Sequence, residues 1–333
     1  MYRGTRVLLI VMVFALMGMI GCDGGAERER FRHRMILAVT PWPGSAAIYV
    51  AGEKGYFQEE GIEAVFRTYP SGHLGLEAMF SEKANLATAG DTPIARAALE
   101  GHPVTVAATL CEINRAVLLV ARKDKGISSL EDLKGKRIGV VAGTTADFFL
   151  HIFLTTSYIR LTDVRIIDLE TEKVVDALGK GEVDAVCTWS PYTTIARERL
   201  GRNAVIFDDP TIYKMTWNLA TTKGFAERNP ESIRRLLRVM LKAKKFILAH
   251  PDETRAIIAK TMGTQKFFLE QEWDDYTFTV SLDHSLIVNL EDQARWMLRQ
   301  GRGEIREPFN GMDFIYIDGL QAVQPEALGI HDI

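Results

Sequence analysis

Cysteine and histidine are scarce in this sequence. Three of its 333 residues are cysteines and seven are histidines. No two histidines stand four residues apart and none lies near a CxxC pair, so we expect no metal site. Cys22 lies close to the N-terminus, whereas Cys111 and Cys187 stand in apolar runs. That setting favours two buried free thiols over a disulfide.

Common catalytic and nucleotide-binding motifs are also missing. The sequence contains no G-x-x-x-x-G-K-[ST], no G-x-G-x-x-G after a strand, no H-E-x-x-H and no G-x-S-x-G. These absences disfavour nucleotide, dinucleotide, zinc-protease and serine-hydrolase chemistry, and we expect no cofactor. The acidic pair Asp208–Asp209 precedes Pro210, as is typical of a turn.

Positive charge is not in excess. The formal net charge is −3, and removal of residues 1–21, which carry Arg3 and Arg6 and no acid, brings it to −5. A protein that binds nucleic acid usually carries a basic surface. Nucleic acid is therefore not an expected partner.

A signal peptide is the most specific feature of the N-terminus. Arg3 and Arg6 precede an apolar run over 7–20, which is short of the roughly 20 residues that span a bilayer comfortably. The string 19–22 resembles the bacterial lipobox, which predicts cleavage after residue 21 and a lipid on Cys22. A plain signal peptide or an anchoring helix remains the alternative.

The residues after Cys22 predict a membrane tether. Residues 22–34 are polar and rich in both charges, as flexible linkers are. Asp23 resembles the signal that keeps lipoproteins at the inner membrane. We therefore expect a lipid anchor at the periplasmic face of that membrane.

The remaining chain predicts an α/β fold with mostly parallel sheets. Short apolar runs, typical of strands covered on both faces, alternate with helical patterns. From residue 225 onward the pattern predicts helices only, beginning with a long amphipathic one after Pro230 and ending with one over 291–300. An earlier helix is predicted over 93–100. Strands are predicted over 35–39, 64–69, 85–89, 104–110, 116–121, 137–141, 164–169, 183–188, 204–207 and 218–221.

Four junctions between a strand and a helix share one chemistry. Each places glycine or a small hydroxyl residue where open α/β sheets bind ligands and where helix N-termini offer unpaired N–H groups. Taken singly, each hydroxyl would be an ordinary helix cap. None of the junctions has a basic residue that obviously pairs an anion. The predicted ligand-binding residues from the junctions are Ser45, Ser71, Gly72, Asp91, Thr92, Gly143, Thr144 and Thr145.

Aromatic residues stand beside these junctions. Trp42 lies at the first junction, Trp189 ends a predicted strand, and Tyr213 and Trp217 lie near another. Large rings at strand ends can simply pack in a core or a hinge. A ligand cleft also needs aromatic walls, so we include these four residues in the predicted site.

The chain resembles the nitrate/sulfonate/taurine-type periplasmic substrate-binding proteins of ABC importers, a group that also includes binders of a thiamine pyrimidine precursor. The segments 47–61, 90–101, 127–143 and 181–192 carry the resemblance. It implies a two-lobed periplasmic binding protein fold of type II, with ligand in the cleft between the lobes. Lobe one would be residues 35–115 and 217–333, lobe two would be 116–216, and two chain crossings would form the hinge.

The resemblance implies a binding lipoprotein rather than an enzyme. Its partners would be a small-molecule ligand and the permease and ATPase subunits of an ABC importer, and we expect a monomer. A sulfonate, taurine or nitrate-like anion is the favoured ligand. A thiamine-precursor pyrimidine or another heteroaromatic is the alternative. An enzyme or a ligand-sensing domain on the same fold is the alternative of another class, although the cysteine-rich motif of the related pyrimidine synthase is not found here.

Overall fold

The computed structural model describes residues 33–263, 269–270, 272–302 and 308–330. The predicted signal peptide, Cys22 and most of the predicted tether lie outside these residues. The tether prediction extended to residue 34, but the first strand already begins at His33, where Arg34 is exposed while Met35 and Leu37 are buried. Among the described residues, no helix is both long enough and apolar enough to cross a membrane.

The described residues form two β-sheets. The first has seven strands in the order β12-β11-β4-β10-β3-β1-β2, and the second has five in the order β7-β6-β8-β5-β9. Central strands are almost wholly buried, as in β4, whereas the edge strand β7 carries exposed polar residues. The strands are β1 (His33–Val39), β2 (Ile62–Thr68), β3 (Leu86–Gly90), β4 (Val104–Ile113), β5 (Val117–Arg122), β6 (Arg137–Val140), β7 (Arg165–Asp168), β8 (Ala185–Trp189), β9 (Ala204–Phe207), β10 (Met215–Thr222), β11 (Tyr276–Asp283) and β12 (Leu328–Gly329).

Helices cover both sheets. The longest begins at Pro230, whose missing N–H costs nothing in the first turn, and its apolar stripe, which includes Leu236 and Met240, is buried. The described helices are α1 (Ala46–Glu53), α2 (Tyr56–Glu59), α3 (Gly72–Phe80), α4 (Asp91–Leu99), α5 (Thr145–Thr156), α6 (Val174–Lys180), α7 (Tyr192–Leu200), α8 (Lys223–Arg228), α9 (Pro230–Ala249), α10 (Pro251–Met262), α11 (His284–Arg299) and α12 (Ile317–Val323).

The predicted α/β class is confirmed, and all ten predicted strands are present within a few residues of their predicted bounds. Two details differ. The sheets are mixed rather than mostly parallel, because β10 and β5 each run antiparallel to both of their neighbours. The C-terminal part is not purely helical, since β11 pairs with β4 inside the larger sheet.

Cys111 and Cys187 are free and buried, as predicted. Burial raises the pKa of both thiols well above the ordinary value. A thiol needs its thiolate form to react, so neither side chain is set up as a nucleophile.

The chain passes from the larger sheet to the smaller after β4 and returns with β10. The turn after β4 is held by Arg115, whose Nε lies 2.8 Å from Asp208 Oδ2 in the segment that leads back. The predicted hinge crossings fall on these same two segments. The lobe boundaries themselves remain a prediction.

Candidate ligand-binding site

A partly open cavity of about 50 Å³ lies where both sheets contribute strand ends. The larger sheet supplies the residues after β1 and β3 and the start of β10. The smaller sheet supplies the start of β5, the end of β8 and the turn after β6. The cavity is lined by Thr40, Trp42, Ser71, Gly72, His73, Gly90, Pro93, Val117, Thr144, Thr145, Trp189, Met215 and Trp217.

Three helices begin at the wall of this cavity. They are α3 after Ser71, α4 after Gly90 and α5 after Thr144. The first N–H groups of a helix have no intrahelical partner, and the aligned peptide dipoles give this end a partial positive charge. Three such ends together suit a ligand group that accepts hydrogen bonds.

Local contacts fix these helix starts. Ser71 Oγ accepts a hydrogen bond from the Leu74 N–H at 3.4 Å, which caps α3. Thr144 Oγ1 donates to the Val141 carbonyl at 2.7 Å. Gly72 is required by close packing, because a Cβ there would lie 2.8 Å from Ala89 Cα on β3.

Two buried polar atoms on the wall lack a protein partner. They are the indole Nε1 of Trp42, a residue 3% exposed, and the Oγ1 of Thr40, a residue 5% exposed. Leaving a buried donor or acceptor unpaired costs about 1–3 kcal/mol, so such atoms normally have a role. The benzo edge of Trp42 faces Gly44, where a Cβ would meet Cζ3 at 2.2 Å, so the Nε1 edge lies on the other side.

Trp42 is held in place by other rings. Its centroid lies 4.7 Å from that of Trp217 and 5.7 Å from that of Tyr276, in tilted arrangements. Trp217 is fixed in turn by its Nε1, which donates to Ser45 Oγ at 3.1 Å. Ser45 itself donates to the Thr40 carbonyl at 3.1 Å. The indole donor of Trp42 is therefore pre-positioned, which lowers the entropic cost of binding.

The structure brings seven of the predicted residues to the cavity: Trp42, Ser71, Gly72, Thr144, Thr145, Trp189 and Trp217. Ser45, Asp91, Thr92, Gly143 and Tyr213 do not line it. Ser45 lies behind the cavity wall, where its Oγ accepts the hydrogen bond from Trp217 Nε1. Ligand contact for the seven remains a prediction.

Asp91 is a structural carboxylate rather than a wall residue. It is fully buried and accepts hydrogen bonds from the Thr216 N–H at 3.1 Å, from Asn289 Nδ2 at 2.9 Å and from the Tyr213 hydroxyl. Burial raises its pKa, and the hydrogen bonds from Tyr213 and Thr216 act in the opposite direction. Asp91 thus ties α4 to the start of β10 and to α11. Thr92, next to it, is buried with an unpartnered Oγ1.

The backbone N–H of Gly143 is also hydrogen-bonded within the protein. Its N–H donates to Asp147 Oδ2 at 2.8 Å, and the same oxygen accepts from Arg302 Nη1 at 2.7 Å. Burial would raise the pKa of Asp147, but hydrogen bonds from His151, Gly143 and Arg302 outweigh it and the pKa is lowered. This ionised carboxylate positions the turn that leads into α5.

His73 lines the cavity and was not among the predicted site residues. It is the only ionisable side chain among the described residues of the wall. Its Nε2 lies 3.1 Å from Glu77 Oε1 one turn along α3. Burial lowers its pKa below the usual 6.5, Arg96 adds to the lowering, and Glu77 and Glu100 oppose it. Its position directly after Ser71 and Gly72 was the signal that could have identified it.

Within the part of the chain that the structure describes, no group of three or more His, Cys, Asp or Glu side chains is arranged to hold a metal ion. The wall offers indole, hydroxyl and backbone N–H groups. Groups of this kind can donate neutral hydrogen bonds to a ligand.

Curated relatives are binding proteins. A putative binding protein of Brucella abortus is 28% identical over 235 residues, which are 69% of this chain and 71% of that protein. A putative aliphatic sulfonates-binding protein of Bacillus subtilis is 25% identical over 79% of this chain and 80% of its own length. The taurine-binding periplasmic protein of Escherichia coli is 28% identical over 59% of this chain and 61% of its own length.

Solved structures share the fold. The alkanesulfonate-binding protein SsuA of Xanthomonas axonopodis pv. citri, bound to MOPS, aligns with a TM-score of 0.72 at 16% identity over 86% of this chain and 99% of that one. The SsuA protein of Escherichia coli aligns with a TM-score of 0.70 at 19% identity over 81% and 93% of the two chains. The desulfurization enzyme DszB aligns with a TM-score of 0.66 at 18% identity over 89% and 99%. The predicted periplasmic binding protein fold is thereby confirmed.

The family can be named from the sequence as well. Residues 42–254, which begin at the cavity's Trp42 and include both chain crossings, match the family described as NMT1/THI5 like. The resemblance found in the sequence is confirmed, and this protein belongs to the NMT1/THI5-like family.

Proposed function

We propose that the protein is an extracytoplasmic solute-binding component of an ABC importer that captures a small organic anion, with a sulfonate or taurine-like compound favoured. The observation that carries the proposal is the pair of unpartnered buried atoms, Trp42 Nε1 and Thr40 Oγ1, at a cavity where three helices begin. The relatives that bind sulfonates and taurine support it.

Neutral donors can supply useful affinity in this setting. A hydrogen bond to a charged group is worth about 1.5–3 kcal/mol. A partly buried helix N-terminus adds up to about 2 kcal/mol toward an anion. A few such contacts, together with burial of an apolar tail against Trp189, reach the roughly 8 kcal/mol of micromolar binding.

The test is calorimetry with ethanesulfonate and taurine on three proteins. Wild type should bind at least one of them with a micromolar Kd. Trp42→Phe keeps most of the ring but removes the Nε1 donor, so its affinity should fall by about tenfold or more. Trp296→Phe is the matched control, because Trp296 Nε1 is also buried without a partner but Trp296 does not line the cavity.

Failure of wild type to bind any small sulfonate would contradict the favoured ligand class. Equal affinities of Trp42→Phe and wild type would contradict the proposed site. High salt should change the Kd little, because screening acts mainly on exposed charges.

A flat heteroaromatic ligand is the second candidate. Three indoles, those of Trp42, Trp189 and Trp217, line the cavity and offer stacking surfaces. A riboflavin-binding protein of Chloroflexus aurantiacus is among the relatives, at 24% identity. Including an aminopyrimidine in the calorimetry panel separates the two classes, since only one of them should saturate the site.

A binding role also fits better than catalysis, although the same fold occurs in an enzyme. The buried thiols of Cys111 and Cys187 have raised pKa values and lie off the cavity. Recovery of unchanged ligand after prolonged incubation with the protein, checked by mass spectrometry, supports binding alone. Appearance of a product would establish an enzyme.

The cellular setting that we propose is a monomer, lipid-anchored through Cys22 at the periplasmic face of the inner membrane and partnered by a permease and an ATPase. Cys22→Ser should abolish palmitate labelling of the protein in cells. Labelling equal to that of wild type would contradict the anchor.

A further inference from the structure

A second, larger cavity opens directly outside the inner one. It measures about 590 Å³, roughly twelve times the inner cavity. Thr40, Trp42 and Trp189 line both spaces, so the two are continuous across these side chains. We call the outer space the vestibule.

The vestibule is acidic where the inner cavity is not. Glu172, Glu198 and Glu272 line it, and no Lys, Arg or His is among its described lining residues. Arg197 lies close enough to Glu272 to offset part of the negative charge but does not line the space. An anion alone would gain nothing from these carboxylates.

Glu272 is the most enclosed of the three. Its Oε1 accepts a hydrogen bond from Thr194 Oγ1 at 3.2 Å, which holds the carboxylate in one place. Burial is the main reason that its pKa is raised, with Asp275 adding to the rise and hydrogen bonds from Ser190 and Thr194 opposing it. A cation beside this carboxylate would relieve the cost of its burial.

Apolar and aromatic faces complete the vestibule. Trp189 and Tyr192 meet edge to face with centroids 6.0 Å apart, and Ile195 is 45% exposed there. Aromatic faces attract organic cations through their π electrons, and the exposed apolar surface gains from covering by a hydrocarbon tail.

The boundary between the two spaces independently indicates a ligand. Trp42 Nε1 and Thr40 Oγ1 are buried and unpartnered, and both residues border the inner cavity and the vestibule. A molecule that satisfies these atoms from the inner side would extend its other end past Trp189 toward Glu272.

We propose that the vestibule is a second subsite, which binds a cationic group on the tail of a ligand whose anionic head occupies the inner cavity. The ligand class is therefore an extended zwitterion, with the two charges separated by a short apolar chain. The proposal rests on the proposed function for the position of the head.

A matched pair of probes tests the proposal. Trimethylammonio-propanesulfonate and trimethylsilyl-propanesulfonate have the same shape and the same head, but only the first carries a permanent positive charge on its tail. Wild type should bind the ammonium compound about tenfold more tightly than the silyl compound. Glu272→Gln, which keeps the shape of the side chain, should reduce this preference to about twofold and leave the silyl affinity within about twofold of wild type.

Further variants make the result specific. Glu198→Gln removes a second, exposed vestibule carboxylate and should lower the preference partially. Glu326→Gln makes the same change of charge at an exposed residue that lines neither space and should keep the full preference. Thermal unfolding of each variant confirms that it is folded.

The outcomes separate the two proposals. Equal binding of the two probes by wild type overturns the second subsite while the proposed function stands. A full preference for the ammonium compound in both Glu272→Gln and Glu198→Gln also overturns the second subsite. Failure of both probes and of the short sulfonates to bind overturns the proposed function, and the subsite with it.

Discussion

His73 gives the inner cavity a charge that depends on pH. Its pKa is lowered below 6.5, first by burial and then by Arg96, so the side chain is mostly neutral at pH 7. A bound anion favours the protonated form, because the new positive charge would interact with it directly. Protonation of His73 and anion binding are therefore linked. The affinity for an anion must rise as the pH falls from the pKa of His73 in the anion-bound protein toward its pKa in the free protein.

We therefore expect the Kd for ethanesulfonate, a ligand that does not titrate in this range, to fall several-fold between pH 7.5 and about pH 5.5. His73→Asn should bind with little dependence on pH over the same range. His102→Asn is the control, since His102 is partly exposed, stacks on Phe80 and does not line the cavity. The same pH dependence in His73→Asn would show that another group titrates with binding.

The sequence predicts a residue's position in the fold where that position is set locally, and it fails where the position depends on distant partners. Ser71 and Thr144 follow from the strand-to-helix pattern alone, because a helix start is encoded within a few residues. Asp91 looked like a wall residue for the same reason. One of its hydrogen-bond partners, Tyr213, lies 122 residues away along the chain, and no local spacing reveals that contact.

At the scale of elements, strands with continuous apolar sequence were predictable and β11 was not. The sequence of β11, YTFTVSLD, alternates threonine and serine with apolar residues, whereas the strand predictions rest on unbroken apolar runs. Phe278, Val280 and Leu282, on one face of β11, are buried. The polar residues of its other face were therefore enough to hide a strand that lies inside the sheet.

Helix starts show a related limit. Helix α4 begins at Asp91, two residues before the predicted 93, and α11 begins at His284 rather than at residue 291. The first turn of α4 is stabilised by bonds that Asp91 makes to β10 and α11, and these belong to the tertiary fold. This shift matters for the site, because it moves Asp91 from the wall into the buried network.

At the scale of the whole molecule, both sheets contribute to one cavity wall. Thr40, Gly90 and Trp217 come from the larger sheet, and Thr145 and Trp189 come from the smaller. A ligand that contacts both sets is bound best when the sheets are close together. It therefore shifts the population toward the closed form, about the two crossings that we propose as the hinge.

Small-angle scattering should thus give a smaller radius of gyration with saturating ligand than without it. The Trp42→Phe protein should show the same decrease, but only at a correspondingly higher ligand concentration. Identical curves for free and saturated wild type would indicate a rigid, preformed site and would remove the support for the proposed lobes.

The position of β10 has a consequence for the order in which the chain can fold. This strand lies between β3 and β4 and pairs with both, although 101 residues separate Ile113 from Met215. As the polypeptide emerges from a ribosome or a translocation channel, residues 33–113 therefore supply β1, β2, β3 and β4 but not β10, the strand that joins β3 to β4. The smaller sheet, made from residues 117–207 alone, needs no later segment for its own pairings. The smaller sheet can thus complete its strand pairing first. The larger sheet can complete its own only afterwards, because its pairings close a longer loop and cost more conformational entropy.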